Sequence, residues 1–379
     1  VSNAQRFVFG WLVLDGLNRS ESDQGIVVFT LGLPAALLVL QAGAWADRWD
    51  RRRMLIWTQV TGGAVMAATA LLVRADTISF GWVIVMTLFA GAASAIGQPV
   101  RSSLIPVLVA KEQLFSAIAV NAIAMTLSLI LGPVLAKVVG DQYGFDGAFW
   151  FQSGLMFAGV IFLLRLEVPP HVDLRPKRPI IADMKEALGH VLGDANLRVL
   201  FGLLVMASLT VNPAVMVTLQ AHVKDGLGRT AGDAALPFAL MGIGIAISSV
   251  VVMRKGDMKQ KGAAFQRALI CGSTITILTG RTTDFWQVLV LAFFMGLAGG
   301  FYINMNQGLI QANTPQPLMG RVMGLYALTS FGIMPFGALI LGAIATWTST
   351  GAAISGAALI SLIGVITTYV SQRGLRELS

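Results

Sequence analysis

The densest chemistry in the chain lies between residues 43 and 53, where Gly43 is followed by Asp47, Arg48, Asp50, Arg51, Arg52 and Arg53. A carboxylate just past a helix C-terminus is disfavoured by the helix dipole, so Asp47 needs a partner. Arg48 is adjacent in sequence, and Arg101 is a second candidate. Gly43 lets a neighbouring helix approach closely. A carboxylate held by arginines locks one arrangement of helices, and its release permits another. That is the chemistry of a gate. Four arginines would also serve as a plain anchor, but an anchor does not require the ordered spacing Gly-x-x-x-Asp-Arg-x-x-Arg-Arg-Arg.

Few other constellations of reactive residues are present. Cys271 is the single cysteine, and His171, His190 and His222 are scattered without metal-ligand spacing. We therefore expect no metal site and no cofactor. The phosphate-cradling pattern Gly-x-x-x-x-Gly-Lys-Ser/Thr is absent, which argues against a nucleotide-driven pump within this chain. An intramembrane enzyme would need paired membrane-depth acids or a Ser/His pair, and neither is seen. The chain is not expected to be an enzyme.

The remaining polar residues of interest sit inside long apolar runs: Gln5 and Arg6, Asn121, Asn212, and the group Asn304, Gln307 and Gln311. Polar groups at such positions are costly unless they face a cavity or a partner. Helical spacing places Asn304, Gln307 and Gln311 on one face. These residues are the candidate lining of a substrate cavity, with interhelical hydrogen bonding as the alternative for each. Arg6 is the cation expected at mid-membrane depth. Asp15 is the candidate proton-coupling acid, at the outer end of the first helix.

The elements that position these residues are set by composition. Charged residues make up 12% of the chain, hydrophobic residues 55%, and the mean hydropathy is +0.74. A soluble domain carries roughly twice that charge. The excess apolar surface must face lipid, and the continuous runs are those of helices rather than of alternating barrel strands. A span needs about 20 apolar residues. Runs of that kind cover 24–46, 54–73, 77–100, 113–136, 147–164, 199–223 and 234–253, with a weaker one at 263–280. Two charge-free stretches, 285–320 and 322–372, complete the set, the second holding two helices that divide near 346–351. The run 7–14 is half a span before Asp15, so the first helix is expected to be truncated. Its inclusion gives twelve spans.

Alternate loops are basic: Arg48, Arg51, Arg52 and Arg53, then Lys111, then Arg165 to Lys185, then Arg254 to Lys261, then Arg321, then Arg373 and Arg376. Cytoplasmic loops are the basic ones. Both termini are therefore expected inside a plasma (inner) membrane, and the net charge of +8 reads as topology, leaving little case for nucleic acid. The longest inner loop splits the chain into 1–167 and 197–379. Within the linker 168–196, Ile181, Met184, Leu188 and Val191 recur at helical spacing, which predicts an amphipathic helix at the membrane surface.

The motif at 43–53 resembles the signature loop between helices two and three of the major facilitator superfamily. Trp11 to Asp15, Pro99 to Arg101 with Leu104 to Pro106, Asn121, Gly132-Pro133, Thr314-Pro315 and Gly320 to Met323 are similar to its drug- and siderophore-exporter branch. The resemblance implies an all-α membrane fold of two six-helix bundles that rock about a central cavity. It also implies proton-coupled export of a small amphipathic compound by alternating access, with Gly132 and Pro133 as an exporter element. Pro335 and Gly337 stand in the matching place of the second half, as an internally repeated transporter predicts. The expected partners are a small-molecule substrate, a coupling proton and the lipid bilayer. An importer on the same scaffold and a non-transporting sensor or scaffold remain the alternatives. Substitution of Asp47 by Asn is expected to cut transport and leave membrane insertion intact.

Overall fold

The structure is a computed structural model that describes residues 2–46, 49–108, 113–166, 180–255 and 260–372. Its regular secondary structure is all helix among those residues. In chain order the elements are α1 (Ser2–Trp11, continued by a wider turn over Leu12–Gly16), α2 (Glu21–Ala46), α3 (Arg51–Arg74), α4 (Phe80–Leu108) and α5 (Leu114–Arg165). There follow α6 (Ile180–Gly193), α7 (Ala195–Gly226), α8 (Ala231–Arg254), α9 (Lys261–Thr279), α10 (Phe285–Ala312), α11 (Gln316–Trp347) and α12 (Thr350–Ser371).

Eight helices among the described residues are long and apolar enough to cross a membrane. One of them, within α5, is two rods in succession: Gly144 adopts φ 77° and ψ 177° and breaks the axis. That left-handed φ suits glycine because no Cβ meets the following carbonyl. Counting α5 as two, and adding the shorter α1, α2 and the more polar α9, gives twelve rods among the described residues, besides the linker helix α6.

Local signals fix the helix starts. Asp50 caps α3 through the Arg53 N–H at 3.0 Å, and Asp194 caps α7 through the Leu197 N–H at 2.8 Å. Ser349 caps α12 through the Ala352 N–H at 3.1 Å. Each side-chain oxygen satisfies one of the amides that the first helical turn leaves unpaired. Asp284 and Gln287 form a reciprocal capping box at the start of α10.

The rods pack in the same order in the two parts of the chain. Helix α2 lies along α4 and α3 along α5, as α8 lies along α10 and α9 along α12. Glycines set the closest approaches. A Cβ on Gly244 would fall 2.7 Å from the Leu297 amide nitrogen, and Gly91 and Gly296 abut the Leu31 and Met241 carbonyls still more tightly. Helix α1 sits in the middle, with Val8, Phe9 and Val13 fully buried. The outer faces are apolar and exposed, as at Trp57, Phe162, Met253 and Ile360. Bare apolar surface on that scale has no place in water. It makes a lipid-facing belt.

Candidate functional site: a seam closed at one end

The two parts of the chain meet along α2–α11 and along α5–α8. At the first seam, Cβ atoms on Gly25 and Gly342 would fall 2.7 Å from the Ala338 carbonyl and 2.6 Å from the Glu21 carbonyl. The Ser22 and Thr346 hydroxyls lie 2.9 Å apart, and the Thr346 hydroxyl donates to Glu21 Oε2 at 3.2 Å. At the second seam, Gly242 receives Ile130.

Charged groups close the same end. Asp15, in the wide turn that finishes α1, accepts from Trp11 Nε1 at 2.9 Å and from the Ala231 backbone N–H at 2.8 Å. Its other oxygen lies 3.8 Å from Lys224 Nζ, which also donates to the Leu14 carbonyl and to Asn18 Oδ1 at 3.4 Å. Lys137 of α5 reaches Asp141 at 2.8 Å and Asp233, across the seam, at 3.3 Å, and its ammonium stands 5.6 Å from the centre of the Trp11 ring. Deeper in, Gln24 Nε2 donates to Gln220 Oε1 at 2.9 Å, and Gln220 Nε2 donates to the Phe7 carbonyl at 3.1 Å. Both glutamines are almost fully buried. All these inter-half bonds gather toward the end that carries Asp15.

The opposite end is organised differently. Arg52 donates through Nε to the Leu163 carbonyl at 2.8 Å and through Nη2 to the Leu164 carbonyl. It thus caps the C-terminus of α5, where a cation also suits the dipole. Arg321 of α11 binds Asp183 at 3.0 Å and Glu186 at 2.6 Å, holding α6. Asp47 and Arg48 lie outside the described residues. Gly43 falls in the last turn of α2, Arg51 begins α3, and Arg101 is exposed near the end of α4.

The Gly/Pro pairs occupy matched positions. A Cβ on Gly132 would sit 3.3 Å from the Ala4 nitrogen of α1, and one on Gly337 would sit 2.5 Å from the Leu209 carbonyl of α7 and 2.8 Å from the Pro213 ring. Pro133 and Pro335 are buried, and the Pro335 ring fills the space that a side chain at Gly32 would need.

The polar residues singled out from sequence are dispersed. Gln5 is buried against the Met156 sulfur at 3.5 Å. Asn121 is half-buried and reaches the Met125 sulfur, one turn on, at 3.7 Å. Asn304 donates to Ser249 Oγ of α8 at 2.9 Å and to the Gly300 carbonyl at 2.7 Å, so it ties α10 to α8. Gln307 and Asn212 are half-buried and Gln311 is exposed. Asn306, in the same polar run but off that face, is fully buried and donates to the Leu200 carbonyl at 3.5 Å. Sequence reading also missed Gln24, Gln220, Lys137 and Lys224. Gln220 and Lys137 interrupt apolar runs, the same signal that marked Asn121, whereas Gln24 and Lys224 stand beside acids at the edge of a run.

The sequence profile described as Major Facilitator Superfamily matches residues 2–280. The chain belongs to the major facilitator superfamily. It is therefore a membrane transporter that moves a small-molecule substrate through the lipid bilayer. Among superfamily relatives it is 25% identical over 365 residues to the enterobactin exporter EntS of Escherichia coli O81 (strain ED1a), covering 93% of this chain and 84% of the relative. The same protein from Escherichia coli O139:H28 (strain E24377A / ETEC) matches at 25% over the same spans. The fold is similar to that of the nucleoside transporter NupG, with a TM-score of 0.76 at 12% identity over 97% of this chain and 96% of that one. It is also similar to a bacterial homologue of the human lysosomal transporter Spinster, solved inward-facing and occupied, with a TM-score of 0.69 at 13% identity over 97% and 92%.

Proposed function

We propose that this transporter exports a small amphipathic compound by alternating access, with proton coupling. One observation carries the reading. The polar bonds and glycine contacts between residues 1–167 and 197–379 concentrate at the Asp15 end. The basic loops assign the other end to the cytoplasm, so this is the inward-facing arrangement, with both termini inside the plasma (inner) membrane. The two segments are the rocking bundles and 168–196 is the linker. The outer seam must part to complete a cycle, and it joins small-residue contacts and a few half-buried charges to a buried apolar cluster that runs from α1 into α7 and α8, as at Phe7 and Phe238.

The motif at 43–53 supplies the inner gate, with Asp47, Arg48 and Arg101 closing it in the outward-facing arrangement. Gly132, Pro133, Pro335 and Gly337 let α1 and α7 shift against α5 and α11. Asp15 is the acid best placed to couple a proton to outer opening, since neutralising it weakens its hold on both Lys224 and the Ala231 amide. Arg6, Asn121, Asn212, Gln307 and Gln311 remain the proposed cavity set, while Gln5 and Asn304, proposed with them, are held in contacts between helices. The exporter named among the relatives supports the outward direction.

The test is uptake into inverted membrane vesicles, with and without an imposed pH gradient, using a panel of siderophores and antibiotics. Gradient-driven accumulation of a panel member is expected, and Asp47→Asn should abolish it at unchanged membrane levels. Accumulation only in right-side-out vesicles would make the chain an importer. Indifference to the gradient would remove the coupling.

A further inference from the structure

Arg6 has an unusual environment. It stands on α1 among buried neighbours, and no carboxylate and no hydrogen-bond acceptor engages it among the described residues. Yet its side chain keeps accessible surface. That surface lies on the face of α1 that Arg6 shares with Gly10, which looks into the seam between the two parts of the chain. Its neighbours on α1 are otherwise sealed, since Ala4, Gln5, Phe7, Val8 and Phe9 are all buried.

The face of α1 that holds Arg6 continues to Gly10, one helical turn on. There a side chain would collide with Gln220 Oε1 and come within 3.1 Å of Gln24 Nε2. The cross-half amide pair therefore forms a roof one helical turn above Arg6, on the same face of α1. Gln24 is 1% exposed, and its Oε1 has no partner. Asp15 cannot serve Arg6. It is nine residues further along the helix, about 13 Å at the α-helical rise, and is already committed to Lys224 and the Ala231 amide.

A guanidinium cannot shed its proton to escape burial, and an uncompensated internal charge costs several kcal/mol. The planar fork is matched by a carboxylate, which takes two parallel hydrogen bonds. Asn212 completes the picture. The chain interval from Ala4 to Leu209 equals that from Gly132 to Gly337, and those residues make the matching α1–α5 and α7–α11 contacts. On that register Asn212 falls within one residue of the depth of Arg6, on the facing half. It is half-buried and carries no charge.

We infer that Arg6, beneath the Gln24–Gln220 roof, is the charge-recognising element of a binding site for a small organic anion bearing a carboxylate. Such a ligand bridges from Arg6 to the neutral amides of the second half. Organic cations are disfavoured by the same field. The inference rests on the transporter reading and deepens it by naming the substrate's charge class.

The test is equilibrium binding to the full-length, detergent-purified protein, read by tryptophan fluorescence, with Trp11 five residues from Arg6. Salicylate, its neutral analogue salicylamide and the cation tetraphenylphosphonium are titrated in turn. Salicylate is expected to bind saturably and at least tenfold more tightly than salicylamide, with tetraphenylphosphonium weakest. Arg6→Gln should erase the salicylate preference, and Arg6→Lys should restore part of it. Equal binding of salicylamide, preference for the cation, absence of saturable salicylate binding, or wild-type affinity in Arg6→Gln would each overturn the proposal. If Arg6→Gln does not give a monodisperse protein, the three-ligand order in the wild type and the Arg6→Lys variant decide. Binding has no direction, so a protein that binds salicylate through Arg6 but fails to accumulate substrate in inverted vesicles would refute export and leave the site standing.

Discussion

Replacing Gly25 by Ala should drive the protein toward the arrangement in which the Asp15 end is open. The added methyl would lie 2.7 Å from the Ala338 carbonyl oxygen and 3.3 Å from the Gly342 Cα, both on α11. Ordinary contact begins at 3.4 Å, so α2 and α11 must separate by the difference between 2.7 and 3.4 Å, about 0.7 Å. The obstacle is backbone, which has no rotamer to yield. Overpacking of this kind costs about 1–3 kcal/mol. The gain in helix propensity from Gly to Ala, about 1 kcal/mol, applies equally to both arrangements and cancels. The penalty falls on the closed seam alone. It therefore shifts the open-to-closed ratio by roughly 5–150-fold. The assay is labelling of Ser22→Cys by a membrane-impermeant maleimide, with Cys271→Ser removing the native thiol. Ser22 faces Thr346 within the seam, so labelling reports its opening. Gly154→Ala, whose methyl meets nothing within 4 Å, is the control. A labelling rate in Gly25→Ala within twofold of the control would refute the assignment of this seam as the moving outer gate.

Two other outcomes follow from the same geometry. Asp15→Asn removes the charge facing Lys224 and weakens the bond to the Ala231 amide. The side chain is 18% exposed, and hydrogen bonds to charged groups contribute about 1.5–3 kcal/mol, so Ser22→Cys labelling should rise about tenfold; an unchanged rate would leave Asp15 without a part in the clamp. Arg321→Gln cuts both ties from α11 to α6, and amide hydrogen exchange across 184–192 should accelerate about tenfold, whereas unaltered protection would mean that apolar packing alone holds α6.

The membrane fold was legible in composition and in the length of the apolar runs, because lipid leaves helices as the backbone's route to internal hydrogen bonding for runs of this kind. Helix ends were legible where a cap is a local event, as at Asp50 and Asp194. The motif at 43–53 was legible as a pattern, and Gly132 and Gly337 as matched interruptions. What each charged or amide side chain touches was not. Arg52 looks like a gate element by its position, yet its guanidinium reaches the last turn of α5, more than a hundred residues away. Asp15 and Lys137 lie far apart in sequence, and only the packing of α1 between α5 and α7 brings both to the same seam. Asn304 shows the limit of helical spacing: periodicity gives the face, and the neighbour on that face, Ser249, is decided by how α8 crosses α10. Sequence thus determined which segments must leave water and which residues lie on one face of each rod. Tertiary structure alone decided which rods meet, and so which polar groups are satisfied by a partner and which, like Arg6, have none among the described residues.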